Sequence, residues 1–307
     1  MKISLVTPAG PGMRNGNRHT ALRWAAFLRA AGHRVSVATE DLSSDADLML
    51  ALHARRSHAS ILAFWRNHPE RKIVLALTGT DVYRDITLSG EACESLERAD
   101  RLIVLQPKAR EVLPSRLHGK VRVVVQSSST SLRHHPVKGK FRVCVIGHLR
   151  EEKDPLRTLA ALRFLQQDDL EIVQIGALLE RELKPVTKDR RYRWLGGLPH
   201  ARALRWLAES HAMVISSRME GGANVVCEAI RIGVPVLASR ISGNVGLLGE
   251  GYAGYFPLED ENALAKLIAR AREDRAFFRL LKKQIARLRP MVAPRSEARA
   301  LLEAIRA

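Results

Sequence analysis

The chain has 307 residues, 46% of them hydrophobic and 27% charged, a globular composition that excludes disordered and low-complexity classes. At roughly 150 residues per domain, the length suggests two domains. Fifty basic against 32 acidic residues leave a net charge of +18, which points to anionic partners without choosing among them.

Lys2–Thr7 is an apolar run too short for the core of a signal peptide, and reads as a first strand. After glycine-rich punctuation, apolar positions recur at helical spacing over residues 17–31, and Gly32 ends that helix. Val35–Ala38 and Leu48–Leu52 predict strands, and Ser57–Arg66 a helix stopped by Pro69. Ile73–Leu77 predicts a strand, Glu91–Arg98 a helix, and Leu102–Leu105 and Val121–Val125 two more strands. Continuous Val/Leu/Ile runs, in place of alternating ones, indicate parallel strands buried on both faces. Ser127–Lys140 has no apolar period and is the linker candidate.

The alternation then restarts. Phe141–Ile146 predicts a strand, Leu156–Leu165 a helix, Glu171–Ile175 and Tyr192–Leu195 strands. A helix at Ala201–Ala208, a strand at Ala212–Ser216, a helix from Ala223 to Arg231 and a strand at Pro235–Ala238 follow. Ala263–Arg272 and Arg275–Arg289 are helical runs; Pro290 and Pro294 separate them from a last helix, Ser296–Ile305. Two such arrays predict an α/β protein of two Rossmann-like domains, residues 1–135 and 136–290, with 291–307 as a helix packing back on the first.

No stretch approaches 18 apolar residues, so no membrane span is expected. Cys93, Cys144 and Cys227 lie far apart, which fits a reducing compartment and no structural zinc; the expected location is the cytoplasm. The charge is spread evenly, with 20 basic and 12 acidic residues up to residue 135 and 30 and 20 beyond. There is no basic arm, and aromatics are only 5%, so nucleic acid is not the expected partner. An Arg-rich codon usage is the bland source of the excess.

Three glycine-bearing turns follow strands. The first, Gly10-Pro-Gly12-Met-Arg14-Asn-Gly16-Asn17, has the spacing G-x-G-x-x-x-G, a poor match to the dinucleotide fingerprint despite Glu40 downstream. It reads either as a plain turn into a helix or as a backbone approach to an anion, with Arg14 and Arg18 flanking. The second, Gly147-His-Leu-Arg150-Glu-Glu-Lys153-Asp154-Pro155, places two cations between a strand end and a helix start, where a phosphate is gripped. Asp154-Pro155 reads as an N-cap followed by proline at the first helical position. The third runs from Ser216 to Pro235. Paired Gly221 and Gly222 let the backbone approach a ligand, a helix start offers N–H groups, and Glu220 and Glu228 stand at E-x7-E spacing. Carboxylates accept hydrogen bonds from sugar hydroxyls without being catalytic.

With these motifs, residues 141–257 resemble the donor half of the GT-B nucleotide-sugar glycosyltransferases that carry E-x7-E (GT4). The resemblance implies that Arg150 and Lys153 hold the donor diphosphate, Glu220 the sugar and Glu228 the ribose diol. It also implies that Gly221, Gly222, Ala223, Asn224 and Val225 surround sugar and phosphate, with Gly16 also on the donor side, and that the segment Trp194–Leu198 lies near the base, with Leu198 as a contact. The fold implied is GT-B, two Rossmann-like domains facing a central cleft.

Nearly the whole chain, through VTPAGPGMRNGNRHTALRWAAFLRAAGHRV, HARRSHAS, ALTGTDVYRD, ADRLIVLQP, SSRMEGGANVV and SGNVGLLGEGYAGYFP, is similar to selenosugar synthases of selenoneine biosynthesis. That resemblance implies UDP-N-acetylglucosamine or UDP-glucose as donor and selenophosphate as acceptor, with a C–Se bond formed and UDP and phosphate released. Selenium in selenophosphate is already anionic and makes little demand on a general base. The site has instead to hold two anions close together. Arg14, Arg18 and Arg84 are the acceptor-side candidates, with Thr80 and Asp81 after a strand end and His53 after Leu48–Leu52. Arg18 and Arg84 read equally as solvated charges, and His53 equally as a structural histidine. Asn17 and Glu220 are the catalytic candidates; Asn17 reads also as an N-cap. Asp45-Ala-Asp47 reads as a turn, and no metal and no cofactor beyond the two substrates is expected. A hydroxyl or lipid acceptor, motivated by Arg18, Arg23 and Arg29, is the alternative, and a sugar-nucleotide epimerase a further one. Oligomeric state is open.

Overall fold

Leu48–Leu52 is buried at all five positions and Leu170–Ile175 at all six, because each strand is covered on both faces. The computed structural model describes residues 1–13, 15–41 and 45–306. The chain divides into two units, Met1–Gln126 with Pro294–Ala307, and Ser127–Ala293.

The first unit holds β1 (Lys2–Val6), β2 (Arg34–Ala38), β3 (Leu48–Leu52), β4 (Lys72–Leu77), β5 (Arg101–Val104) and β6 (Val121–Val123). They form one parallel sheet in the order β2-β1-β3-β4-β5-β6. Helices α1 (Gly16–Ala30), α2 (His58–Asn67), α3 (Ile86–Leu88) and α4 (Gly90–Arg98) are interleaved with the strands. The pleat divides the core. Met49 and Ala51 join a cluster with Ile61 and Phe64 of α2, whereas Leu48, Leu50 and Leu52 join one with Trp24 and Leu28 of α1.

The second unit holds β7 (Phe141–Ile146), β8 (Leu170–Ile175), β9 (Tyr192–Trp194), β10 (Ala212–Ile215), β11 (Val236–Ser239) and β12 (Tyr255–Phe256). Its sheet is also parallel, ordered β12-β11-β10-β7-β8-β9. Helices α5 (Arg157–Ala161), α6 (His200–Ala208), α7 (Asn224–Ile232), α8 (Ser242–Leu248), α9 (Glu261–Glu273) and α10 (Arg275–Leu288) accompany it. α11 (Pro294–Arg306) belongs to the first unit. There Glu297, almost fully buried, accepts hydrogen bonds from Trp24 Nε1 at 2.7 Å and Arg23 Nε at 2.8 Å. Leu301, Ala304 and Ile305 complete the Trp24 cluster.

The aperiodic stretch after Gln126 has a definite job. The backbone N–H groups of His134, His135 and Val137 donate to Ile232 O, Ala208 O and Glu209 O, satisfying carbonyls at the C-terminal ends of α7 and α6. The imidazole of His134 pairs through Nε2 with Ser210 O at 2.9 Å, and burial pushes its pKa down to about 4. The helix predicted at Leu156–Leu165 is shorter than its periodicity. α5 stops at Ala161 and Leu162–Phe164 tightens into a 3-10 turn. The strand predicted to Val125 ends at Val123. α8, with Gly243 and Gly246 among its seven residues, carries too little helix propensity to be signalled by sequence alone.

Candidate functional site

In an open parallel sheet, a ligand crevice forms beyond the carboxyl ends of the strands where the strand order reverses. In the second unit that point is the β7/β10 pair. The loop after β7 carries Arg150 and Lys153 at the two ends of a single 3-10 turn. The loop after β10 carries Glu220 and leads into α7. Strand order therefore brings together a cation and a carboxylate that stand 67 residues apart. Lys153 Nζ is ion-paired with Glu220 Oε1, the two side chains 24% and 8% exposed. Ser217 Oγ donates to the same carboxylate oxygen at 2.7 Å. Ser216 Oγ donates to Asp154 O at 2.8 Å, and Ser239 Oγ, after β11 begins, donates to Ser217 O at 2.7 Å, so three strand ends are stitched together.

Two glycines let backbones meet at this edge. A Cβ on Gly176 would stand 1.8 Å from Gly147 O, and one on Gly243 would stand 2.1 Å from Glu220 O. Gly243→Ala is expected to force α8 away from the Glu220 loop and to destabilise the fold by about 1–3 kcal/mol, the usual scale of overpacking. The measurement is the denaturant midpoint at constant m; an unshifted midpoint would mean that the loop yields without strain.

Arg150 Nε lies 3.7 Å from Glu152 Oε2, beyond hydrogen-bond reach, and is buried without a hydrogen-bond partner. Its side chain is 40% exposed, leaving the guanidinium able to take an anion. Gly221 is buried, Gly222 half-buried, and Ala223 forms the N-cap of α7 with no side chain able to accept from the first turn, which Asn224 and Val225 begin. The positive end of the helix dipole thus faces the loop that holds Glu220, and Ala223 offers no side chain to cap it. Glu228, in the second turn of α7, pairs with His200 Nε2 at 2.7 Å. Leu198 is half-buried and packs with Leu195 and Trp206 on the cluster of Cys144, Val173, Ile175 and Ala203. Asp154 does not cap α5. It adopts a left-handed conformation (φ 42°) that ends the 3-10 turn, and its carboxylate accepts from Arg157 Nε at 2.7 Å instead.

In the first unit the strand order reverses at β1/β3. Gly16 and Asn17 follow β1, His53 follows β3, and Thr80, Asp81 and Arg84 follow the neighbouring β4, so all stand at one sheet edge. Arg14 lies outside the described residues. The N-cap of α1 is Asn15, whose Oδ1 accepts from Arg18 N at 3.0 Å; Asn17 is not the cap but lies in the first turn, half-buried. Arg18 is half-buried in the same turn.

His53 is almost fully buried at φ 76°, a strained left-handed backbone for a residue with a Cβ. Its Nε2 pairs with Thr80 Oγ1 at 3.1 Å and lies 3.8 Å from Asp85 Oδ2. Burial lowers its pKa, against the pull of Asp81, so the ring is neutral at pH 7. Asp81 is wholly buried. Its oxygens accept from the N–H groups of Ala54, Thr78, Gly79 and Val82 at 2.7–3.1 Å, a cage that shapes the β3 and β4 loops and leaves no face for a ligand. Arg84 is 41% exposed in its side chain and lies 3.4 Å from Asp85 Oδ1. The carboxylates of Asp45 and Asp47 both engage Lys2, through its ammonium and its backbone N–H. Among the described residues, no group of three His, Cys, Asp or Glu side chains is arranged to hold a metal, and no helix is long and apolar enough to cross a membrane.

Sequence reasoning missed Ser217, Ser239, Gly243 and His200. Ser217 and Ser239 were visible only as small residues at strand ends, Gly243 as a glycine shortly after one, and His200 as one residue after a proline.

The family described as "Glycosyl transferases group 1" matches residues 128–288. The fold is similar to that of sucrose-phosphate synthase from Thermosynechococcus elongatus, at 17% identity over 99% of this chain and 98% of that one, with a TM-score of 0.77. It is similar also to HepE from Anabaena in complex with UDP, at 16% identity over 100% of both chains and a TM-score of 0.80. HepE in complex with UDP-glucose gives 14% identity over 100% and 99%, with a TM-score of 0.78. At these identities the likeness is one of fold: GT-B, with two Rossmann-like domains.

Proposed function

Because the chain belongs to the group 1 glycosyltransferases, we propose that it transfers a sugar from UDP-N-acetylglucosamine or UDP-glucose to selenophosphate, forming a 1-selenosugar. The observation that carries the donor half is the Lys153–Glu220 pair at the β7/β10 switch point, with Arg150 in the same loop as Lys153 and the start of α7 following the Glu220 loop. Diphosphate takes Arg150, Lys153 and the helix dipole; the sugar hydroxyls take Glu220; the ribose takes Glu228. The complexes of HepE with UDP and UDP-glucose support a uridine nucleotide as the donor.

In the reaction, the C1–O bond to the β-phosphate breaks and the electron pair leaves on UDP, while a selenium lone pair forms the C1–Se bond. Water then cleaves Se–P, releasing phosphate and the selenol. The anionic selenium needs no strong base, and cations neutralise the leaving diphosphate. On the acceptor side, Arg18, Arg84, Thr80 and His53 share the carboxyl edge of the first sheet. Asn17, in the first turn of α1, is the neutral donor proposed for catalysis. Of the three α1 arginines that motivate a lipid acceptor, Arg23 is held by Glu297 and Arg29 Nη2 donates to Val35 O at 2.6 Å.

The test is to supply each UDP-sugar with and without selenophosphate, measuring UDP release and product mass. A selenium-containing sugar formed in step with UDP is the expected result. UDP release indifferent to selenophosphate with both donors, and no selenium in the product, overturns the acceptor.

A further inference from the structure

His200 is the first residue of α6, and Glu228 lies on the facing helix α7. A carboxylate accepts only, so the 2.7 Å contact between His200 Nε2 and Glu228 Oε1 requires the imidazole to donate from Nε2. The carboxylate side chain is 15% exposed and the imidazole 54%, which places the pair at the surface with the acid on the inner side. Glu228 Oε2 has no hydrogen bond among the described residues, so one oxygen is committed to the protein and the other is left to accept from a ligand. An unpinned glutamate would lose its rotamer freedom on binding; here the histidine has already removed it.

We propose that His200 is a positioning residue for the nucleoside end of the donor, holding Glu228 so that Oε2 meets a ribose hydroxyl. It rests on the donor reading above. His200 does not touch the diphosphate or the sugar in this scheme. Its loss is therefore expected to reach the ribose through Glu228.

The experiment is calorimetric binding of UDP and 2′-deoxy-UDP to the wild type, His200→Ala and His200→Gln, with donor KM and kcat for each. The wild type is expected to prefer UDP by about tenfold, the low end for a hydrogen bond to a charged group. In His200→Ala that preference falls to about twofold, with donor KM raised and kcat little changed. In His200→Gln, which keeps an N–H donor, part of the preference returns. Equal loss of both ligands in His200→Ala, or an unchanged ratio, overturns the proposal, because a merely structural histidine would behave so. A wild type that binds both nucleotides equally overturns it while leaving the diphosphate contacts standing. A wild type that binds neither overturns the donor reading with it.

Discussion

Lys153→Ala is expected to weaken UDP binding by roughly 1.5–3 kcal/mol, the scale of a hydrogen bond to a charged group, which is about a 10- to 150-fold rise in dissociation constant. The structure adds a second consequence. Lys153 is engaged with Glu220. Binding a diphosphate is thus an exchange of one anion for another, and part of the gross attraction is offset by leaving the carboxylate. Removing the lysine also strands Glu220, which is 7% exposed and, among the described residues, keeps only the Ser217 hydroxyl. A buried carboxylate without its cation is destabilising. The variant should therefore lose stability as well as affinity, and calorimetry with UDP separates the two. Unchanged UDP affinity in a folded variant would remove Lys153 from the donor site.

How this pair was legible in the sequence, and how far, follows from strand order. The apolar runs predict two parallel sheets because burial on both faces leaves a continuous Val/Leu/Ile signature, as in Leu48–Leu52. The same runs do not say which strands are neighbours. That β10 lies beside β7, so that Glu220 meets Lys153 across 67 residues, is a property of the sheet order and not of any local period. Arg150, Lys153 and Glu220 could still be named, because cations and carboxylates at strand ends have few structural reasons to be there, and Glu228 through its E-x7-E spacing from Glu220. Asp81 shows the limit of that reasoning. It too follows a strand, yet its charge is consumed by backbone N–H groups of two loops. Asn15 and Asn17 show another limit, since either residue type and place suits a cap, and only the backbone decides for Asn15. His200 lay outside the motifs because its meaning depends on α6 packing against α7.

Glu220→Gln is expected to separate turnover from nucleotide binding. Glutamine keeps the length of the side chain and can still accept from Ser217 Oγ, so the loop after β10 should hold its shape. It cannot hold Lys153 by charge. The lysine no longer has to leave a carboxylate to reach the diphosphate, and UDP should bind as tightly as in the wild type or more tightly. The sugar fares differently. A carboxylate accepting from its hydroxyls makes charge-assisted bonds, and the neutral amide does not. As the sugar gains positive charge on the way to the transition state, the missing negative charge matters most there, and kcat should fall by about 10- to 150-fold for one such contact. Weaker UDP binding in Lys153→Ala beside undiminished UDP binding in Glu220→Gln, with turnover lowered in Glu220→Gln, is the pattern that an exchanged ion pair requires. A parallel loss of UDP affinity in the two variants would mean that Glu220 supports the nucleotide site as a structural partner of Lys153 and has no contact with the sugar.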